Sequence, residues 1–254
     1  MPEPVKTDDD ERKRSRLNII PQKGERALSV GTTGSGKTTF NIWLLKHIED
    51  SPIFIYDTKH EPKFDNLPRS IVVPNFKNID EILEEAEHDY VIVRPPDSLL
   101  ADWETLDGYL FYHYRNLQGY PAYIDEATTF HSSTGRAGVG LINLLSRGRS
   151  KGITLLISSQ RPKKIDLLCI TEAQKLYALK MNYKDDRKRI DELVEDFSKL
   201  PIAKPHYFYF MDLVEMEKPV LMSPVKLDEI KHSGYTDNVE NPAEPAQTKR
   251  GIWI

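Results

Sequence analysis

The 254-residue chain has one cysteine, three tryptophans and no uninterrupted apolar stretch of membrane-spanning length. Each shortage excludes something. A single cysteine cannot build a disulfide framework. Cys169 also lies in the apolar run 165–170, where a thiol reads as a small buried hydrophobe rather than a nucleophile. That cysteine usage suits a reducing cytoplasm. With no run of about 18 apolar residues and no signal-peptide pattern, the expectation is a soluble intracellular protein with no direct membrane span. Excess positive charge is missing too, since 35 Lys and Arg face 39 Asp and Glu for a net −4. Any hold on a nucleic acid must therefore come from local patches. No internal repeat is visible.

What remains is 39% hydrophobic and 29% charged, the makeup of one α/β domain with a sizeable core. Residues 1–16 carry mixed charge and little to bury, and read as a flexible tail. Arg12, Lys13, Arg14 and Arg16 are a solvated run before they are a phosphate contact. Residues 17–236 form the candidate domain. The Pro/Glu-rich stretch 237–254 reads as a second tail, ending in an apolar Gly251–Ile254.

Inside the domain, Gly31-Thr32-Thr33-Gly34-Ser35-Gly36-Lys37-Thr38, followed by Thr39, fits the phosphate-binding pattern G-x-x-x-x-G-K-[ST] (Walker A) without a gap. Glycines let the backbone turn so that its N–H groups converge on phosphate oxygens. Lys37 would meet the β- and γ-phosphates, and Thr38 would offer a hydroxyl to Mg²⁺. The flanks agree. Residues 27–30 read as a buried strand, and Phe40, Trp43, Leu44 and His47 recur with helical spacing. The following helix would aim its positive end at the same phosphates. Nucleoside triphosphate binding follows, with ATP and Mg²⁺ as expected cofactors.

Further strands are expected at 18–20, 53–56, 70–73, 90–94, 121–124, 153–160, 175–181 and 206–210. Helices are expected at 80–88, 99–117, from 141, and at 185–197. In a parallel sheet the strand C-termini face the ligand crevice, which brings Asp57 and Lys59 near the nucleotide edge. The strand ending in Asp125-Glu126 supplies what an Mg-ATPase needs opposite its phosphate loop (Walker B): Asp125 for the metal through water, Glu126 to polarise the attacking water. That second acid points to a hydrolase rather than a kinase. Gln160, at the tip of the strand ending Ser158-Ser159, is placed to sense γ-phosphate or hold the attacking water. Between Arg147 and Arg189, twelve Lys and Arg stand against four Asp and Glu, an asymmetry that fits a polyphosphate partner.

The order of these blocks, with Arg147-Gly148-Arg149-Ser150-Lys151-Gly152-Ile153 and Leu155-Leu156-Ile157-Ser158-Ser159-Gln160-Arg161-Pro162 as the specific part, resembles the FtsK–HerA superfamily of DNA-pumping ATPases over about residues 27–212. In size the chain looks most like the genome-packaging ATPases of tailless icosahedral viruses with an internal membrane. The resemblance implies a RecA-like α/β core with a mostly parallel sheet flanked by helices. It also implies a homo-oligomeric ring, a hexamer, that drives double-stranded DNA into a preformed capsid at a vertex or portal, in the host cytoplasm and at the packaging vertex of the virion. It further implies an arginine finger from the adjacent subunit, and Arg147 and Arg149, ending a helix near the nucleotide strand tips, are candidates with Arg187 in reserve. Arg136, Lys163 and Lys164 are the DNA-contact candidates. The alternative is a phage-assembly or secretion motor that moves protein.

Overall fold

The computed structural model describes residues 18–226. The expected tails at 1–16 and 237–254, and the basic run Arg12–Arg16, lie outside the described residues. Nine strands form one sheet in the order β3-β4-β2-β5-β6-β1-β7-β8-β9. They are β1 (Arg26–Val30), β2 (Ile53–Tyr56), β3 (Ser70–Val73), β4 (Tyr90–Val93), β5 (Ala122–Ile124), β6 (Leu155–Ser159), β7 (Lys175–Ala178), β8 (Phe208–Asp212) and β9 (Val220–Met222). Strands β1 through β7 pair in parallel, and β8 and β9 close one end antiparallel. The mostly parallel α/β sheet flanked by helices is the architecture that the motif order implied.

The central strands are buried on both faces, which is why they read as continuous apolar runs rather than alternations. Within β2 the pleat still sorts them. Ile53 and Ile55 pack with Phe40, Trp43 and Leu44 of α1 (Lys37–Leu45) on one face. Phe54 and Tyr56 pack on the other with Leu106 and Leu110 of α3 (Trp103–Asn116) and Leu141 and Leu144 of α4 (Val139–Arg147). The remaining helices are α2 (Ile79–Glu85), α5 (Leu167–Thr171) and α6 (Lys184–Ile190).

Several boundaries differ from the sequence reading. Residues 18–20 are not a strand. Ile19 is buried instead, and its carbonyl accepts the Tyr177 hydroxyl. The helix expected at 99–117 starts only at Trp103, because the Asp102 side chain caps it by accepting from Thr105 N at 3.1 Å. The helix expected at 185–197 stops at Ile190. Asp191 takes Ser198 N and Oγ, and the chain turns through Asp196 at φ 59°, burying Val194 and Phe197 from turns rather than from a helix. The strand expected from 206 starts at Phe208, since His206 has φ 70° and sends its N–H to Ser35 O at 3.0 Å. Strand β9 was not anticipated.

Candidate active site

The C-terminal ends of β1, β2, β5 and β6 converge at one edge of the sheet. From β1 the chain passes through residues 31–36 into α1. Gly34 and Gly36 hold φ of 76° and 93°, the left-handed region that favours glycine. Gly36 is doubly constrained: a Cβ there would stand 2.4 Å from His206 Nδ1. Strand neighbours pin the start of the loop, with Gly31 N donating to Ser159 O at 3.2 Å and Thr32 N to Lys180 O at 3.0 Å. Thr32 Oγ1 also donates to Lys180 O at 3.0 Å. Its far side carries Thr33, whose hydroxyl donates to Gln160 Oε1 at 2.9 Å.

Lys37 begins α1. It is buried, and its Nζ donates to Ser158 Oγ on β6 at 2.7 Å. Burial pulls its pKa down, and the nearby Asp125 and Glu126 carboxylates oppose that. The ammonium, both acids and the strand tip thus share one low-dielectric volume. Thr38 and Thr39 are half-buried on the first turn, and Lys63 Nζ lies 3.4 Å from Thr39 Oγ1.

Across the edge, Asp125 is buried, and its Oδ1 accepts the Tyr123 hydroxyl at 2.7 Å; that hydroxyl in turn accepts Asn41 Nδ2 at 2.9 Å. Among the described residues no hydrogen bond reaches Asp125 Oδ2, with Lys59 Nζ standing off at 3.9 Å. Among the described residues no cluster of three or more His, Cys, Asp or Glu forms a metal cage. One open carboxylate oxygen and the Thr38 hydroxyl of the first helical turn instead fit Mg²⁺, which is held by one or two protein oxygens and completed by nucleotide phosphates. The donor set therefore fits the ion the motif implies.

Glu126 carries the most crowded carboxylate in the site. Its Oε1 accepts Ser159 Oγ and Thr128 Oγ1, each at 3.0 Å, and its Oε2 accepts Lys59 Nζ at 2.9 Å and Gln160 N at 3.3 Å. Burial works to raise its pKa, but Lys59 first, then Lys37 and the Ser159 hydroxyl, hold it below the usual glutamate range.

The phosphate-loop residues, Asp125, Glu126 and Gln160 are thus brought together. Asp57 reaches the same edge but is spent on structure. It is fully buried, ion-paired with Arg94 Nη2 at 2.7 Å, and accepts the backbone N–H groups of Lys59 and Glu61. Arg136 lies exposed at the closing end of the 132–136 turn, its carbonyl accepting Ser132 N at 2.9 Å. Lys163 and Lys164 are exposed on the turn after β6, with Lys163 paired to Asp185. Asp166 joins the two turns, taking Ala137 N on its Oδ2 at 3.0 Å and giving its own N–H to His131 Nε2.

The arginines are not where the sequence reading put them. Arg147 and Arg149 end α4 and precede β6, which places them at the N-terminal edge of the sheet, opposite the phosphate loop. Arg149 Cγ would lie 3.5 Å from a Cβ on Gly24, just before β1, and Lys151 O accepts Gly119 N ahead of β5. Both arginines are exposed there. Neither can reach its own nucleotide. Arg187, the reserve candidate, is buried and donates to the carbonyls of Phe197, Ser198 and Leu200, so it holds the turns after α6 and is no finger. The basic surface is also smaller than the count of twelve, because Lys175 is buried against Asp212 and Glu25. Cys169 is buried as expected, and burial pushes its thiol up to about 12.

No protein-family model matches the sequence, and no curated protein matches it significantly. Solved structures do. The genome packaging NTPase B204 from Sulfolobus turreted icosahedral virus 2, in complex with ATP-gammaS, aligns over 80% of this chain and 98% of its own, at TM-score 0.63 and 16% identity. B204, the DNA-packaging ATPase from Sulfolobus Turreted Icosahedral Virus, aligns over 81% and 100% at TM-score 0.60 and 18% identity. This chain shares the fold of the B204 proteins. VirB4 of Thermoanaerobacter pseudethanolicus shares it over 79% of this chain and 89% of its own, at TM-score 0.57 and 13% identity. No helix among the described residues is long and apolar enough to cross a membrane.

Among the site residues that escaped the sequence reading are Tyr123, Asn41, Arg94 and His206. Each sits where core or loop chemistry accounts for it locally, so only proximity in space reveals its role.

Proposed function

We propose that this protein is an ATP-hydrolysing motor that drives double-stranded DNA into a viral capsid as a homo-oligomeric ring, a hexamer. The observation that carries the hydrolytic reading is Glu126, a second acid beside the metal-side Asp125 and within the field of Lys37. A nucleotide-dependent binding switch needs no such base. In this reading residues 31–36 wrap the phosphates with backbone N–H groups, Lys37 bears on the β- and γ-phosphates, and Gln160 orients the attacking water. Glu126 takes the proton of that water. Bound Mg²⁺, held by Thr38 and Asp125, would neutralise charge on the phosphates.

The DNA part of the reading draws on the B204 proteins that share this fold, described as genome-packaging and DNA-packaging enzymes. It also draws on the exposed Arg136, Lys163 and Lys164, carried by two turns bonded to each other at the nucleotide edge. Arg147 or Arg149 then acts as a finger in trans, and capsid-vertex or portal proteins are the expected docking partners in host cytoplasm and virion. The second reading is a phage-assembly or secretion motor that moves protein rather than DNA.

Two measurements separate the readings. Hydrolysis should rise when double-stranded DNA is added, alongside a solution mass of a ring; no rise with DNA removes the packaging reading in favour of the second. Glu126→Gln should retain nucleotide binding while hydrolysis falls by about 10² to 10⁴. Near wild-type turnover in that variant would exclude Glu126 as the base.

A further inference from the structure

Behind the nucleotide edge sits a buried imidazole that the hydrolytic chemistry leaves unused. His131 is 6% exposed and closes the short helical turn Ala127–Phe130 that follows Glu126. Its Nδ1 donates to the carbonyl of Ala127, the residue next to Glu126, at 2.5 Å. Its Nε2 accepts the Asp166 N–H at 3.0 Å. A carbonyl only accepts and a backbone N–H only donates, so the two partners assign the ring proton to Nδ1. Burial lowers the pKa of the ring and favours the same neutral form. The side chain is therefore a tie with a fixed polarity, one end on each of two turns.

The first turn belongs to the acid. The last main-chain bond from this stretch to the sheet, among the described residues, is Asp125 N to Tyr56 O at 3.3 Å. Glu126 stands beyond it. Thr129 N bonds back to Glu126 O at 3.2 Å, and Thr128 Oγ1 reaches the Glu126 carboxylate, so where the turn goes the acid follows. The second turn is anchored independently. Lys163 N donates to Asp186 Oδ1 and Arg189 Nη2 to Ile165 O, which bind residues 162–166 to α6. We propose that His131 is the positioning residue for Glu126, fastening the turn behind the acid to the anchored turn after β6. This rests on the reading of Glu126 as the hydrolytic base. In that reading the carboxylate has to meet a water lined up on the γ-phosphate. An acid set only by a short turn needs a second hold to keep that line.

The two ends of the tie can be cut one at a time in the full chain. Asn ends near the Nδ1 position and keeps a donor for Ala127 O, while Gln reaches the Nε2 position and keeps an acceptor for Asp166 N–H. ATP turnover is measured for the wild type, His131→Asn, His131→Gln, Glu126→Gln and both double variants. Each single His131 variant should lower kcat roughly 10- to 10²-fold with KM for ATP within about twofold, since a small misplacement of a reacting group acts on the chemical step. On the Glu126→Gln background neither His131 change should lower the rate further, because the group it positions is already gone. A further loss there as large as in the wild type would show that His131 acts elsewhere and would overturn the proposal. Wild-type turnover in His131→Asn would overturn it as well, since the Asp166 bond would then be idle. A raised KM at unchanged kcat would make His131 a support of nucleotide binding and not of the acid. Wild-type rates in both His131 variants beside a silent Glu126→Gln strike the tie alone. Near wild-type turnover in Glu126→Gln removes the base and the tie together.

Discussion

Tyr123 meets three polar side chains with one hydroxyl: Asp125, Asn41 and Ser158. It donates to Asp125 Oδ1 and accepts from Asn41 Nδ2, entirely out of water. Burial, reinforced by the Asp125 charge, raises its pKa well above the ordinary tyrosine value, so the hydroxyl stays a donor at every working pH. The bond fixes which Asp125 oxygen is left for the cation. Tyr123→Phe should therefore fold normally but bind Mg²⁺–nucleotide about tenfold more weakly, as measured by titration of nucleotide at limiting Mg²⁺. Unchanged affinity would mean that backbone alone sets Asp125. The acids themselves were legible because two adjacent carboxylates at the tip of a buried apolar strand are costly to place there unless they meet a cation or a proton. Tyr123, two residues earlier on the same buried strand, reads as core and is core. Its second role depends on Asn41, eighty-two residues away, and no local pattern carries that. Arg94 was hidden in the same way. A lone arginine after β4 gives no hint that it neutralises Asp57 and denies that residue to the metal.

Helix α3 shows how an element can hold a titratable group for structural reasons. His113 is completely buried on it, stacked edge-on against Phe54, with the Tyr56 hydroxyl at Nδ1 (3.0 Å) and Tyr120 O at Nε2 (3.0 Å). That pairing assigns the proton to Nε2. Burial lowers its pKa to about 4, so the folded chain keeps a neutral ring where the unfolded chain takes up a proton near 6.5. More protons on the unfolded side mean that stability falls as pH drops through that window. The loss between pH 7 and 5 from this one group is about 2 kcal/mol. Urea unfolding of the wild type and His113→Gln at both pH values checks it, since the variant should show a shallower decline; equal slopes would clear His113. Elements with an unbroken apolar run were readable, the central strands among them, while α3 was readable except for its start, which the Asp102 cap moves to Trp103. The segment after Ile190 was not, because its periodic Leu193, Val194 and Phe197 fit a helix as well as the turns that Arg187 and Asp191 impose.

At the scale of the whole molecule the sheet has two working edges. The nucleotide edge gathers residues 31–39, Asp125, Glu126 and Gln160, and the opposite edge exposes Arg147 and Arg149. A subunit cannot serve itself with these arginines, so a finger drawn from them must serve a neighbour. Subunits of Arg149→Ala, or of Arg147→Ala, mixed with Glu126→Gln subunits should regain part of the lost activity, because each supplies what the other lacks. Silence at every ratio for both arginines would rule them out. A working finger is worth roughly 10³ to 10⁵ in rate, so recovery would be easy to detect. Motif order made the architecture and the nucleotide edge legible. The opposite edge was not, since the position of a helix end along a sheet is set by strand direction and not by its own residues.

The pairing of β1 has a consequence in time. Of the nine described strands this one is made first, yet its partners are β6 and β7, and the loop that follows it is fastened by backbone bonds to Ser159, Lys180 and His206. On the ribosome, the phosphate loop waits for more than a hundred residues to emerge before its cradle has walls. A nascent chain halted before β7 lacks Lys180 and His206, and has nothing to hold residues 31–36 in their bound shape. Nucleotide capture thus waits on β6, β7 and the turn at His206.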